Sequence, residues 1–210
     1  MKTKPPIRLL LVDDHPAFRK GLAALVMSEP GMTVVAETGD GREAVELYRR
    51  VRPEVVLMDL RLPGLSGVEA IMAIRKEFPE ARVIVVTTYD ADEDIYRAIQ
   101  AGAQSYLLKD MSQEEMLATI RAVWAGQAQL PANVASRLAE RMQREELNPR
   151  EMEVLDLLVK GRSNKEIADA IHLTEAAVKF RLKGLFAKLG VQDRTEAVVS
   201  ALRHGIVHLE

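Results

Sequence analysis

Five polar residues in the first half of the chain stand where short apolar runs end. They are Asp13, Asp14, Asp59, Thr87 and Lys109. Three carboxylates brought together repel one another unless a cation neutralises them, and oxygen ligands suit a hard divalent ion. Magnesium is the natural candidate because it keeps several waters and accepts one or two carboxylates together with phosphoryl oxygens. The residue types therefore indicate magnesium-assisted phosphoryl chemistry.

Asp59 is the best placed nucleophile among these residues. It ends an apolar run and precedes a loop, residues 60–64, in which Pro63 and Gly64 favour a turn that holds backbone close to the site. A carboxylate can attack a phosphoryl group when the developing charge is shared with a metal ion, a lysine and hydroxyl donors.

The elements that must position these residues alternate between strand-like and helix-like segments over residues 1–124. Strands are predicted at 7–12, 33–37, 55–59, 82–87 and 105–108, and helices at 16–27, 41–50, 67–77, 93–100 and 112–124. This pattern predicts an α/β fold, a doubly wound five-stranded parallel (βα)5 sheet. Because open parallel sheets bind ligands at the carboxyl ends of their strands, the five polar residues are expected to converge there.

The second half of the chain has no strand-like run. Residues 125–146 are interpreted as a partly helical linker, and residues 147–210 as a small all-α domain of four helices. Those helices are predicted at 149–159, 165–171, 176–189 and 194–204.

The composition is that of an ordinary globular protein, with 48% hydrophobic and 29% charged residues and no cysteine. No apolar run is long enough to span a bilayer and no signal peptide is evident, so a cytoplasmic location without a membrane partner is expected. The net charge is -2, yet residues 160–188 carry seven basic and three acidic residues, a local +4. A localised basic face of this kind favours a specific DNA reader.

Four motifs in order resemble the receiver domain of two-component response regulators, over residues 5 to about 125. They are Val12-Asp13-Asp14-His15-Pro16, the segment 59–67, Thr87-Thr88-Tyr89 and the segment 102–109. The resemblance implies that Asp59 is the phosphoacceptor. It also implies that Asp14, Asp59 and the backbone carbonyl of Arg61 bind magnesium directly and that Asp13 acts mainly through water. The phosphoryl-binding and switch residues implied by the resemblance are Thr87, Lys109 and Tyr106. Many receivers have proline after the lysine, whereas Asp110 stands here, so no cis peptide bond is implied.

A helix-turn-helix is expected in the last domain, where Thr174 caps a helix that carries basic residues near its start. Residues 147–210 resemble the LuxR-type DNA-binding domain, and the two halves together resemble NarL/FixJ-type response regulators. The predicted DNA contacts are Lys179, Phe180, Arg181 and Lys183. Phe180 and Arg181 depart from the usual family pattern at these positions, which puts the usual sequence preference in doubt.

These resemblances imply a transcription factor that is not an enzyme, apart from phosphorylation and dephosphorylation of its own Asp59. The expected partners are a sensor histidine kinase, a second copy of the chain when phosphorylated, and DNA with paired half-sites; RNA polymerase is a further candidate. The last helix bears an apolar face of Ala197, Val198, Ala201 and Leu202. That face is interpreted as internal packing, with a dimer contact on DNA as a second hypothesis.

Two other functions use the same residues. Aspartyl-phosphate chemistry also serves phosphatases, although no second acid or base stands near Asp59 in the sequence. Alternatively, the first domain is a dimerisation platform that works without phosphorylation. His15 is interpreted as a solvated neighbour of the site.

Overall fold

The computed structural model describes residues 5–128 and 130–208, which fall into two units. The first unit takes in the chain up to residue 90 together with 95–135, and the second takes in 91–94 together with the chain from 136 onward. Residues 1–4 of the first predicted domain, Gln129 of the predicted linker and residues 209–210 of the last predicted domain lie outside the described residues.

Five strands form one parallel sheet in the first unit, in the order β2-β1-β3-β4-β5. They are β1 (Ile7–Val12), β2 (Met32–Thr38), β3 (Val55–Met58), β4 (Val83–Thr87) and β5 (Ser105–Leu108). β1, β3, β4 and β5 are mostly apolar without alternation, because a sheet covered on both faces buries most of its side chains, although Arg8 on β1 is exposed. The predicted five-stranded parallel sheet is confirmed, and Asp59 lies one residue beyond β3 rather than inside it.

The helices that follow these strands along the chain are α1 (Pro16–Ser28), α2 (Gly41–Val51), α3 (Gly67–Glu77), α4 (Asp92–Gln100) and α5 (Gln113–Trp124); residues 92–94 of α4 are grouped with the second unit. Side chains from α1 and α5 share one apolar core with β1, represented by Val26, Ile120 and Leu9. The strand order reverses between β1 and β3, and a doubly wound sheet opens a crevice at such a point. Asp13 and Asp59 therefore follow the two strands that flank this crevice.

Helix starts follow local capping chemistry. Ser66, Ser112, Asn148 and Ser163 each accept a hydrogen bond from the backbone N–H three residues on, and the glutamate at that position bonds back to the cap. Ser112 is thus the cap of α5 and not its first helical residue.

A further helix, α6 (Ala132–Met142), lies within the predicted linker. The second unit then carries α7 (Pro149–Val159), α8 (Asn164–Ala170), α9 (Glu175–Leu189) and α10 (Arg194–Arg203). One core joins these four helices through side chains such as Leu155, Ile167 and Val178. The all-helical prediction for this part of the chain is confirmed. None of the described helices has the length and apolar character needed to cross a membrane.

Candidate functional site

Four side chains cluster where β1 and β3 end. Asp13, Asp14, His15 and Asp59 each offer one ligand atom, and these atoms all lie within 4.8 Å of one another. Asp13 and Asp59 are buried, whereas Asp14 and His15 are exposed. Asp13 also accepts the backbone N–H of His15 at 2.8 Å, and the N-cap residue of α1 is His15 itself. We call these four residues the acidic cluster.

Lys109 neutralises part of the acidic cluster from the end of β5. Its ammonium nitrogen lies 2.7 Å from Oδ2 of Asp13 and 2.7 Å from Oδ2 of Asp59. Burial lowers the pKa of Lys109, but the hydrogen bonds and charges of the two carboxylates outweigh burial and raise its pKa above the ordinary value. The ammonium therefore stays charged between two buried carboxylates.

The backbone holds Asp59 in place at this edge of the sheet. Its N–H donates to the carbonyl of Val12 at 2.8 Å, so the pairing of β1 with β3 continues one residue past β3. At the start of α3, a Cβ on Gly67 would lie 2.0 Å from the carbonyl oxygen of Asp59. A Cβ on Gly41, at the start of α2, would lie equally close to the carbonyl oxygen of Leu65. Both glycines permit a close approach that sequence reasoning did not identify.

Arg19 is a second residue that sequence reasoning missed. It lies on α1, its guanidinium donates to the backbone carbonyl of Asp13, and it also faces the carboxylate of Glu37 at 3.9 Å. Arg19 thereby ties the loop that carries the carboxylates to the first helix. The only indication of this role in the sequence is that Arg19 follows His15 by about one helical turn.

Thr87 and Tyr106 are fully buried on the neighbouring strands β4 and β5. The carbonyl of Thr87 accepts the backbone N–H of Lys109 at 2.8 Å, so the hydroxyl-bearing residue is tied to the lysine. The hydroxyl of Tyr106 donates to the carbonyl of Tyr89 at 2.8 Å. The ring of Tyr106 is therefore already inside the domain in this structure.

Arg61 follows Asp59 in the β3–α3 loop, and its backbone N–H reaches Oδ1 of Asp59 at 3.4 Å. Its guanidinium carbon lies 4.7 Å from the centre of the Tyr89 ring, a cation–π contact. The Nη2 atom is buried without a hydrogen-bond partner among the described residues. The side chain of Arg61 thus lies over an aromatic ring beside the phosphoacceptor candidate.

The donor set of the acidic cluster fits magnesium. Three carboxylates face one ammonium group, which leaves an excess of two negative charges, and hard oxygen donors are the ligands that Mg²⁺ prefers. Asp13, Asp14 and Asp59 are therefore able to hold a divalent ion. The peptide bond between Lys109 and Asp110 is trans, in line with the residue that stands there.

The predicted DNA contacts lie on α9, but they do not share one environment. Phe180 is 80% exposed, and Lys179 and Lys183 beside it are exposed as well. Arg181 is half-buried and lines a cavity of about 310 Å³ together with His172 and Arg150. Lys179, Phe180 and Lys183 therefore form one outward face, which we call the α9 face, and Arg181 lies beside it.

Small residues border the α9 face. Ala176, Gly184 and Ala187 are exposed neighbours one turn away from its larger side chains, and nothing lies within 4 Å of a Cβ built on Gly184. Such residues leave room for the helix backbone to come close to a partner.

The apolar face predicted for α10 turns mostly inward. Ala197 and Ala201 are fully buried in the core of the helical unit, so they are not available to a second protein copy. Val199 is the large apolar residue of this helix that is exposed, at 58%. The internal-packing interpretation of this face is the one that the structure supports.

Two family models match the chain. Residues 9–121 match the response regulator receiver domain, and residues 145–201 match the LuxR family of bacterial regulatory proteins. Together these matches cover both units of the described structure.

Curated relatives match over nearly the full length. The chain is 37% identical to the response regulator protein VraR of Staphylococcus saprophyticus, covering 96% of this chain and 99% of that protein. It is 39% identical to the transcriptional regulatory protein LiaR of Bacillus subtilis, covering 96% of this chain and 100% of that protein.

Solved structures of response regulators are also similar to this chain. The crystal structure of the response regulator ChrA, from a heme-sensing two-component system, is 35% identical with a TM-score of 0.59, covering 97% of this chain and 100% of that chain. RcsB of Salmonella enterica, solved on promoter DNA, is 23% identical with a TM-score of 0.72, covering 95% and 98%, and supports the fold. With its carboxylate–lysine cluster and its exposed basic helix, the chain belongs to the NarL/LuxR-family response regulators, transcription regulators that join a receiver domain to a LuxR-type DNA-binding domain.

Proposed function

We propose that phosphorylation of Asp59, supported by magnesium, controls how this regulator dimerises and binds its DNA. The observation that carries the proposal is the ammonium of Lys109 held 2.7 Å from both Asp13 and Asp59 in a buried site. A lysine in this position balances the charge of the carboxylates before reaction and of a phosphoryl group afterwards.

The reaction begins with an oxygen of Asp59. It attacks phosphorus, an oxygen–phosphorus bond forms, and the bond from phosphorus to the donor breaks, so that the electron pair leaves with the donor's nitrogen or oxygen. Asp13, Asp14, Asp59 and the carbonyl of Arg61 would hold Mg²⁺, Asp13 mainly through water. When bound, Mg²⁺ supplies positive charge to the phosphoryl oxygens.

In this proposal, Thr87 and Tyr106 transmit the effect of phosphorylation from Asp59 to the rest of the domain. An acyl phosphate brings additional negative charge and new acceptor oxygens, which favour movement of the Thr87 hydroxyl toward them. Tyr106 lies on the strand next to Thr87, and its hydroxyl bond to Tyr89 joins it to the loop that follows Thr87. The two states need to differ by only a few kcal/mol for a phosphoryl group to shift the population.

At the DNA, α9 enters the major groove. Lys179 and Lys183 contact DNA, and Phe180 touches apolar base edges such as thymine methyl groups. Arg181, which is half-buried, donates to guanine or phosphate. Small residues at 176, 184 and 187 let the helix approach the groove floor.

The partners follow from this scheme. A sensor histidine kinase or a small phosphodonor supplies the phosphoryl group, and phosphorylated chains form dimers that read paired half-sites. Val199 on α10 is the exposed apolar residue offered to the second copy. RNA polymerase is a further partner, and the protein acts in the cytoplasm, where bacterial DNA is transcribed.

The experiment compares DNA binding with and without a phosphodonor and Mg²⁺. Wild-type protein is expected to incorporate one phosphoryl group per chain and to bind promoter DNA more tightly afterwards, whereas Asp59→Asn does neither. Asp110→Asn is the matched control because it removes an exposed carboxylate outside the acidic cluster. Equal affinity of wild type under both conditions would contradict phosphorylation control. Repeated turnover of an external phosphomonoester would favour a phosphatase instead.

A further inference from the structure

His15 lies in the acidic cluster, yet the proposed function assigns it no role. Its ring nitrogen Nδ1 is 2.7 Å from Oδ1 of Asp14 and 3.4 Å from Oδ1 of Asp13. It is also 4.0 Å from Oδ2 of Asp59. The imidazole thus shares the cluster with all three carboxylates that the proposal offers to a metal ion.

One ion can reach this nitrogen and the carboxylates together. Ligand atoms on opposite sides of one ion are separated by about twice the metal–ligand distance, roughly 4.2 Å for Mg²⁺ or Zn²⁺. The four ligand atoms of the acidic cluster lie within 4.8 Å of one another, so movements of a few tenths of an ångström suffice. The side chain of His15 is 66% exposed and makes no capping hydrogen bond to α1, and a metal ion would take the place of its contact with Asp14.

The lysine and the histidine share Oδ2 of Asp59, at 2.7 Å and 4.0 Å, but they face different oxygens of the other two carboxylates. Lys109 bonds to Oδ2 of Asp13 and Oδ2 of Asp59, whereas His15 faces the Oδ1 atoms of Asp13 and Asp14. At Asp13 and Asp14, a metal ion on the histidine side consequently does not compete with the ammonium for an oxygen.

We infer that His15 is a nitrogen ligand of this site and that it shifts the metal preference toward first-row transition ions. Imidazole suits ions such as Mn²⁺, Co²⁺, Ni²⁺ and Zn²⁺, whereas Mg²⁺ prefers oxygen donors and retains water. An all-oxygen receiver site distinguishes these ions less strongly than a site with one nitrogen. The inference rests on the proposed function, since it takes the same carboxylates as the metal centre.

A charged counter-ion role for His15 predicts the opposite outcome. If a protonated imidazole only neutralises Asp14, every divalent ion must compete with it. Removal of His15 then strengthens the binding of all divalent ions to a similar extent. The two roles differ in the sign of the effect and in its dependence on the metal.

The test is calorimetric titration of tag-free, full-length protein with Ni²⁺ and with Mg²⁺. In His15→Gln, the ratio of Ni²⁺ affinity to Mg²⁺ affinity is expected to fall by about tenfold or more. His172→Gln is the matched control because it removes another exposed histidine, in the helical unit. An unchanged ratio in His15→Gln, or tighter binding of both ions, overturns the inference.

A spectroscopic measurement tests direct ligation. Protein loaded with Mn²⁺ is expected to show electron spin echo modulation from a coordinated imidazole nitrogen, and His15→Gln is expected to lose it. Modulation that persists in His15→Gln overturns the inference.

Asp14→Asn separates the failure of this inference from failure of the proposed site. If Asp14→Asn binds Mg²⁺ as wild type does, the carboxylate site itself is wrong. If Asp14→Asn weakens Mg²⁺ binding while His15→Gln keeps the Ni²⁺ to Mg²⁺ ratio of wild type, the carboxylate site stands and the role of His15 is wrong.

Discussion

The receiver site and the α9 face place their functional groups in opposite environments. Asp13 and Asp59 are 3% and 2% exposed, and they are held by Lys109 and by backbone bonds. Phe180, by contrast, is 80% exposed. Desolvated charges interact strongly, so one new bond to a buried carboxylate changes the free energy of the domain more than a bond to an exposed group does. The exposed groups remain available to a partner and contribute little to folding.

This difference separates two kinds of mutational effect. Changes around the acidic cluster should alter stability and phosphorylation together, since the same contacts serve both. Changes on the α9 face should alter DNA binding and leave the fold alone. Four measurements test this division.

The largest expected effect is that of Gly67→Ala. Its Cβ would lie 2.0 Å from the carbonyl oxygen of Asp59, and neither backbone can yield easily. We expect a loss of about 3 kcal/mol in the free energy of unfolding, measured in urea through the fluorescence of Trp124, the single tryptophan, which lies on α5. Gly21→Ala on α1 is the matched control, since nothing lies within 4 Å of its Cβ; it should gain about 0.5–1 kcal/mol. Gly67→Ala with wild-type stability would contradict the close approach.

Phe180→Ala should weaken promoter binding by about 1–2 kcal/mol, because the ring no longer buries apolar surface against the groove. Its free energy of unfolding should stay within about 0.5 kcal/mol of wild type, since the ring is exposed in the free protein. Fluorescence anisotropy with labelled promoter DNA measures the first quantity and thermal unfolding the second. A large loss of stability would show that the ring packs within the domain after all.

Two lysines of α9 should behave differently. Lys183 is exposed, and Lys183→Gln should reduce the slope of log affinity against log salt by about 0.9, the loss of one phosphate contact. Lys188 pairs with Glu151 at 2.8 Å and with the carbonyl of Glu146, so Lys188→Gln should lower stability instead. Lys20→Gln on α1 is the control, because it removes the same charge from a residue that is far in sequence from the predicted DNA contacts. Identical salt slopes for Lys183→Gln and Lys20→Gln would remove Lys183 from the DNA contacts.

The smallest expected effect concerns pH. Burial raises the pKa of Glu151, but the hydrogen bond from Lys188 and the backbone bond from Asn148 outweigh it, and the net pKa lies below the ordinary value. Glu151 therefore contributes stability above its unfolded pKa of about 4.3, and this contribution is lost as pH falls through the lower folded pKa. Wild type should exceed Glu151→Gln in unfolding free energy at pH 7 and match it at low pH, as followed by circular dichroism. The exposed Glu153→Gln on the same helix should show no such difference.

Much of the fold could be predicted because its signals are local. Unalternating apolar runs predicted the strands to within one or two residues, and the residues that cap α3 and α5 predicted where those helices start. The convergence of Asp13, Asp59 and Lys109 was predictable as well, since parallel strands place their carboxyl ends at one edge.

Other features depend on contacts between distant parts of the chain. No local pattern shows that Arg19 reaches the carbonyl of Asp13, or that the ring of Tyr106 is already inside the domain. The half-buried position of Arg181 was equally hidden, because its neighbours on α9 have the same polarity in the sequence. Tertiary packing decides the direction in which a side chain points. Hydrophobic periodicity indicates only which face of a helix or strand is buried.

The two glycine contacts have a consequence for protein engineering. Gly67 touches the backbone of Asp59, and Gly41 touches the backbone of Leu65, which lies between Asp59 and Gly67 in the chain. A graft of residues 59–67 into another receiver is expected to fold only where the recipient also has glycine at the start of its second helix. The loop 59–67 alone therefore leaves out one of its contact partners, and chimeras should be cut around residues 41–67 instead.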